Sequence, residues 1–278
     1  FAEKQMEVVN VIGPSIEEHL ARVAAERLMR QIDEIGKLKE EVHLSFGAGQ
    51  TTMLVARALA NVVRQRTKPP QLVIHALSSG FSVDRPETAP LAYFAYFSGL
   101  NPAVKFVGLF APAVVQFGRY NSIKKLDGVR ESFERAGEID IVVTSLAQWD
   151  DPHGQLNRFQ AKNKRGKDKL EKAHCVGDIQ WRPYSDDGPI NVNTGIRAVT
   201  LFELTDLKEL AETSGKYVTV VCGRCGVCGR KKARALLPLL HEPSLRVFNH
   251  LVTDTATAHK VLELEKKLRP TGADAKAG

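Results

Sequence analysis

Two hydrophobic periods take turns along the chain: helical spacing in some stretches, short unbroken apolar runs in others. Leu20, Val23, Ala24, Leu28 and Ile32 fall on one helical face, and Ser15 followed by Glu18 is a capping-box start for it. Residues 42–46 then form an apolar run that predicts a strand. Helical spacing returns through Leu54, Val55, Ala58, Leu59, Val62 and Val63 until Pro69-Pro70 stops it, and 72–77 predicts the next strand. The same grammar predicts a helix over 91–97, a strand over 104–110, a helix over 123–135 and a strand over 139–144.

The second half is less regular. Residues 147–172 read as a polar, basic connector. Extended pieces over 176–184 and 197–202 follow, with Asp186-Asp187-Gly188 between them as a turn signal, which predicts a hairpin of the two. A strand over 217–221, a helix over 231–240, a strand over 245–252 and a helix over 255–268 complete the pattern, and 270–278 reads as a frayed tail. Alternating strands and helices imply an α/β fold: a Rossmann-like three-layer arrangement, mostly parallel sheet, with a small hairpin insertion. In such sheets ligands sit at the carboxyl ends of the strands.

With 278 residues, 43% hydrophobic and 26% charged, the chain holds enough apolar matter for a large core and is excluded from the disordered and fibrous classes. The organisation read from it is one domain over 1–278, without repeats. The net charge of +7 is local, because 158–172 carries seven cations against Asp168 and Glu171. Residues 91–117 are weakly charged, but Pro102, Lys105 and Pro112 interrupt them, so no membrane span is expected. Four cysteines are too few for a disulfide scaffold and no apolar leader opens the chain, so a reducing cytoplasm is expected. A start at Phe1 rather than Met predicts a piece of a longer polypeptide.

Four places could carry chemistry. Gly47-Ala48-Gly49-Gln50-Thr51-Thr52 joins a strand to a helix, where glycines admit a ligand and first-turn amides, helix dipole and threonine hydroxyls favour an anion such as phosphate. A capped tight turn explains the same residues equally well. Neither a P-loop Gly-Lys-Ser/Thr nor a third glycine for the dinucleotide fingerprint is present, so a triphosphate site is not expected. Arg230-Lys231-Lys232 places cations at a helix start, where the dipole opposes them unless an anion lies nearby. Asp178, in Val176-Gly177-Asp178-Ile179-Gln180-Trp181, could accept from sugar hydroxyls, with Trp181 as an apolar face.

Cys222, Cys225 and Cys228 form two overlapping CxxC spacings, candidates for zinc, a cluster or redox work, with His174 or Cys175 as the completing ligand. A second, separated CxxC is missing, so a reduced glycine-rich turn is the plainer reading and no cofactor other than a zinc candidate is expected.

In combination these residues resemble the effector-binding domain of SorC-type sugar-responsive transcriptional regulators. Residues 45–60 are similar to that family's GxGxT loop and helix, Val176 to Ile179 through Asp187-Gly188 to its VGDI…DxDG hairpin, 229–240 to its glycine- and lysine-bearing helix start, and 251–258 to its LVTDxxTA segment. The resemblance implies a fold related to sugar-phosphate isomerases, deaminases and CoA-transferases. It also implies a sugar or sugar-phosphate effector and a homo-oligomer. Carried over by position, Gly49, Gln50 and Thr51 would hold phosphate, Asp178 would accept from hydroxyls and Lys232 would meet an anionic oxygen. The family's helix-turn-helix is absent from this sequence, so DNA contact would require a missing N-terminal domain. The expected function is a non-enzymatic ligand sensor. The rivals are a sugar-phosphate isomerase or deaminase using Asp178 as its base, and a zinc or redox module on the cysteine loop.

Overall fold

The computed structural model describes residues 5–10 and 15–268. Among the described residues the thirteen strands are β1 (Gln5–Val9), β2 (Glu41–Phe46), β3 (Gln71–Ala76), β4 (Lys105–Val107), β5 (Val114–Gln116), β6 (Ile141–Thr144), β7 (Leu146–Gln148), β8 (Gly177–Ile179), β9 (Arg182–Ser185), β10 (Gly188–Pro189), β11 (Ile196–Ala198), β12 (Tyr217–Cys222) and β13 (His250–Asp254). The helices are α1 (Ile16–Gly36), α2 (Gln50–Arg64), α3 (Pro90–Tyr93), α4 (Tyr120–Ile123), α5 (Arg130–Glu134), α6 (Gln155–Gln160), α7 (Lys164–Lys172), α8 (Leu204–Glu212), α9 (Ala233–His241) and α10 (Thr255–Leu268).

Seven strands form the central sheet in the order β1-β13-β12-β6-β2-β3-β4, and every pairing in it is parallel. The strand pleat sends alternate residues to opposite faces, which builds two cores. Ile141, Val143 and Val221 face a layer made by α1 and α2 (Leu28, Ile32, Val55, Leu59). Val142, Val218, Val220 and Cys222 face α8 and α9 (Leu207, Leu210, Ala235, Leu236). Strands buried on both faces need apolar residues at every position, which is why they read as unbroken runs. From the adjacent pair β2 and β6 the connections diverge, toward β3 and β4 on one side and β12, β13 and β1 on the other. A switch point of this kind leaves a crevice at the strand ends.

Beside that crevice sits an antiparallel sheet, β10-β9-β8-β7, whose β7 continues β6 after one residue, Ser145. Its geometry corrects the expected hairpin. Residues 176–184 are not one strand paired with 197–202; they fold on themselves as β8 and β9 around Gln180 and Trp181, whose φ values of +52° and +60° make the two-residue turn. Asp186-Asp187 turns β9 into the short β10, and β11 pairs with β5 instead. Non-glycine residues at positive φ cost on the order of 1 kcal/mol each. Here Trp181 is held by stacking on Phe81 (centroids 4.6 Å apart) and an edge contact to Phe159 (4.6 Å).

Gly177 explains its own identity. A Cβ there would lie 2.7 Å from the Ala147 carbonyl oxygen, 2.7 Å from the Ala235 Cβ and 2.8 Å from the Tyr184 hydroxyl, so only glycine lets β8 close onto β7 and α9.

Other boundaries move. The helix expected over 123–135 is split into α4 and α5, with Gly128 at φ +78° between them. The strand expected over 104–110 pairs only at 105–107, the one over 245–252 pairs only from His250, and the helix expected from Lys231 begins at Ala233. The basic connector contains β7, α6 and α7. β1 was not anticipated, and the expected tail over 270–278 lies outside the described residues. Among the described residues no helix is long and apolar enough to cross a membrane.

Candidate functional site

Gly47-Ala48-Gly49 carries the chain from β2 into α2. The Gly47 amide donates to the Val143 carbonyl (3.0 Å), which keeps the loop on the sheet. A Cβ at Gly47 would run into the Gln180 side-chain amide, which crosses this position to donate to Thr144 Oγ1 (2.7 Å). Gly49 sits at φ +144°, its amide donating to the Thr88 carbonyl (3.0 Å). The buried Tyr93 hydroxyl shares its proton between the carbonyls of Thr88 (2.7 Å) and Gly49 (2.9 Å), and the Thr52 hydroxyl donates to Gly49 O (3.0 Å). Burial pushes the Tyr93 phenol well above its ordinary range, so it stays protonated and keeps donating.

These bonds revise two expectations. Gly47 and Thr52 are buried and do not line the crevice; they brace the loop from behind. The Gly49 amide is already committed to Thr88. A ligand is therefore offered the amides of Gln50 and Thr51 in the first turn of α2, the Thr51 hydroxyl and the positive end of the helix dipole.

The crevice has a volume of about 560 Å³, and Gly49, Gln50, Thr51, Asp178 and Lys232 all line it. That size accommodates a ligand of several hundred daltons. Asp178 enters from β8, buried, with one carboxylate oxygen accepting from the Trp181 amide (3.1 Å). Burial pushes its carboxyl up to about 7, against the Trp181 hydrogen bond and the Lys232 charge, which both work the other way. Lys232 is the cap residue of α9, and among the described residues it makes no ion pair. Arg230 is spent elsewhere, on Asp150 (3.2 Å), so the expected cation cluster reduces to one inward ammonium.

Two further residues were not anticipated. Arg85 lines the crevice and donates to the Gln50 side chain, and Arg158, from α6 in the basic stretch, lines it without an ion pair among the described residues. The charge run at 158–172 was the visible signal for Arg158; nothing local marked Arg85. Trp181 lines the crevice too, but it is only 7% exposed, its ring taken up by Phe81 and Phe159.

The raised Asp178 carboxyl has a measurable consequence. Between pH 4 and 7 the folded chain holds a proton that the unfolded chain, titrating near 3.8, has released, so this group's contribution to stability falls as pH rises. A shift from 3.8 to about 7 corresponds to about 4 kcal/mol. Urea unfolding of wild type and Asp178→Asn across pH 4–8 should show wild type losing that amount relative to the variant. A difference independent of pH would contradict the buried, ligand-free carboxyl.

The expected trio of Cys222, Cys225 and Cys228 does not form. Cys222 closes β12 with its thiol in the core, pushed up to about 12 by burial against the pull of Lys232, and it cannot meet Cys225 and Cys228 without leaving the sheet. Cys175 is buried and donates to the Gly177 carbonyl (3.5 Å), and among the described residues neither it nor His174 belongs to a ligand set. Cys225 and Cys228 instead stand near Asp151 and His153.

The family model described as "Putative sugar-binding domain" matches residues 1–263. The chain belongs to this sugar-binding family. The sugar-binding domain is similar in fold to a transcriptional regulator from Streptococcus pneumoniae TIGR4 (19% identity, 95% of this chain and 92% of that one, TM-score 0.69). It is similar also to the full-length sorbitol operon regulator SorC from Klebsiella pneumoniae (17% identity, 94% and 77% covered, TM-score 0.68). An enzyme shares the architecture: 6-phosphogluconolactonase from Plasmodium vivax, at 13% identity, 95% and 96% coverage and TM-score 0.51. No curated protein matches the chain. The resemblance read from the four sequence segments and the family match agree.

Proposed function

We propose that this sugar-binding domain is the effector sensor of a transcriptional regulator, and that its effector is a phosphorylated sugar. The observation that carries this reading is the meeting, in one crevice, of a helix start at Gln50 and Thr51, the ammonium of Lys232, which makes no ion pair among the described residues, and the buried acceptor Asp178. Phosphate takes the α2 amides and Lys232, with Arg158 and Arg85 raising the local positive potential. Asp178 accepts from sugar hydroxyls, whose donors a basic site alone would leave unmet. The other carboxylates lining the crevice among the described residues, Glu17 and Asp151, accept from the Gly226 and His153 amides and neither bonds Asp178, which favours binding over isomerisation. Tighter binding in one of two subunit arrangements would then shift the regulator between DNA-bound and free states.

Thermal unfolding in millimolar hexose and pentose phosphates, the parent sugars and inorganic phosphate tests the reading. A matched ligand at a hundred times its Kd adds about 2.7 kcal/mol, a rise of roughly 5–10 °C for a chain of this size. No shift with any phosphorylated sugar would overturn the proposal. Equal shifts with the parent sugars would remove its phosphate half, and turnover of the ligand would move the protein to the enzyme class.

A further inference from the structure

Asp151, His153, Cys225 and Cys228 come from two loops 70 residues apart in sequence, and their ligand atoms all lie within 4.8 Å of one another. We propose that these four side chains form a binding site for one borderline-soft divalent cation, Zn²⁺ foremost, at the edge of the crevice.

The loop around the cysteines is shaped for this. Cys225 N–H donates to the Arg230 carbonyl (2.8 Å), and the Gly229 amide, at φ +68°, donates back to the Cys225 carbonyl (2.8 Å). This tight closure turns both sulfurs to one side. The backbone amides of Val227 and Cys228 lie beside the Cys225 sulfur and favour its thiolate, against the burial that raises the thiol. Two amides beside one sulfur are the partners a metal-bound thiolate needs, because they spread its charge.

The other half of the set is equally held. Asp151 is buried and one of its carboxylate oxygens accepts from the His153 amide (2.9 Å), which orients the carboxylate and leaves the second oxygen for a ligand bond. Arg230 ties the two loops together through Asp150, by an ion pair at 3.2 Å and a hydrogen bond to its carbonyl at 2.5 Å. Tetrahedral zinc with sulfur, nitrogen and oxygen ligands places those atoms about 3.4–3.8 Å apart. The observed spread therefore closes by roughly 1 Å, within the reach of the exposed His153 and Cys228 side chains.

Two thiolates and an imidazole select against Mg²⁺ and Ca²⁺, and four protein ligands leave no open position, so the site is structural rather than hydrolytic. Its place gives it a purpose. Asp151, His153 and Cys225 also line the crevice, so a bound ion would pin the wall formed by both loops. The proposal does not depend on what the crevice binds, and either can fail alone.

The test uses the full chain purified without a metal-affinity tag, reduced and stripped with chelator, then titrated with Zn²⁺ against a chromophoric competitor and separately with Co²⁺. Expected are one equivalent bound with a Kd below about 100 nM, intense visible bands of tetrahedral Co²⁺ and thiolate-to-cobalt charge transfer in the near ultraviolet. Cys225→Ser and His153→Ala should each weaken Zn²⁺ at least about tenfold, while Cys222→Ala leaves the affinity unchanged. Both weakening substitutions are in surface loops, so the metal-free variants should melt with the metal-free wild type. Substoichiometric binding, an octahedral Co²⁺ spectrum, a Cys225–Cys228 disulfide in the protein as purified or affinity indifferent to Cys225→Ser would each overturn the assignment.

Discussion

Lys232→Met is expected to weaken binding of a phosphorylated sugar by about a hundredfold, the larger part of a charge-assisted contact worth 1.5–3 kcal/mol plus a loss at its neighbour. The neighbour is Asp178. Its carboxyl, raised by burial, is partly restrained by the Lys232 charge. Removing that charge lets the carboxyl rise beyond about 7, so at neutral pH it is mostly protonated and a weaker acceptor for hydroxyls. One substitution would thus remove the proposed phosphate contact and blunt the proposed sugar contact. Calorimetric titration separates the two, because a parent sugar without phosphate should lose only the second and smaller part. Lys232→Arg should recover part of the affinity, since the charge returns in a different shape. Wild-type affinity in Lys232→Met would mean that the ligand lies elsewhere.

Glu203→Ala is expected to lower stability by about 3 kcal/mol, a fall in Tm of roughly 6–12 °C. Glu203 accepts from Arg182 at 2.9 Å and from Arg197 at 2.7 Å, and it caps α8 in a reciprocal box with Asp206. Burial alone would raise its carboxyl, yet the two guanidinium groups hold it below the usual range. Arg182 is the vulnerable partner, with a side chain only 8% exposed; its remaining contacts are the Ala198 carbonyl (3.2 Å) and the Tyr120 hydroxyl (3.3 Å). Deleting the carboxylate leaves that cation buried without a counter-charge, which costs more than the ion pair itself is worth. Arg197 suffers less because it is more exposed and lies over the Tyr120 ring at 4.4 Å. Glu203→Gln should fall between the two, retaining hydrogen bonds and the cap without the charge. Thermal unfolding of the three proteins at neutral pH decides the matter; an alanine variant melting within a degree of wild type would contradict the network.

How much of this was legible follows the range of the interactions. The unbroken runs at 42–46, 72–77 and 217–221 announced strands because both faces of the sheet are covered, and local apolarity records that directly. β1 escaped because it lies at the sheet edge, with Met6 57% and Val8 54% exposed, so only part of its pattern is apolar. The hairpin partner was misread because Asp186-Asp187-Gly188 looks like the stronger turn, while the actual turn at Gln180 and Trp181 contains no glycine. It exists because Asp178 binds the Trp181 amide and two aromatic rings hold the indole, and all of these contacts form only after folding.

The candidate site divides in the same way. Gly49, Gln50, Thr51, Asp178 and Lys232 were readable because glycine loops, helix starts and isolated carboxylates have chemical meaning over a few residues. That Thr52 and the Gly49 amide face inward was not readable, since Tyr93 and Thr88, more than thirty residues away, commit them. Three cysteines at equal spacing look equivalent in one dimension. The pleat of β12 buries the first in the core, and a loop carries the other two toward Asp151 and His153.

By itself, then, the amino-acid order determined the layer architecture, the family and the short segments at the strand ends, since each depends on periodicity or turn chemistry within a few residues. Which of those segments share a crevice, which polar groups remain free to bind and which carboxylate and imidazole face the thiols were decided only by the packed chain. Distance and desolvation set those outcomes, and both belong to the three-dimensional arrangement.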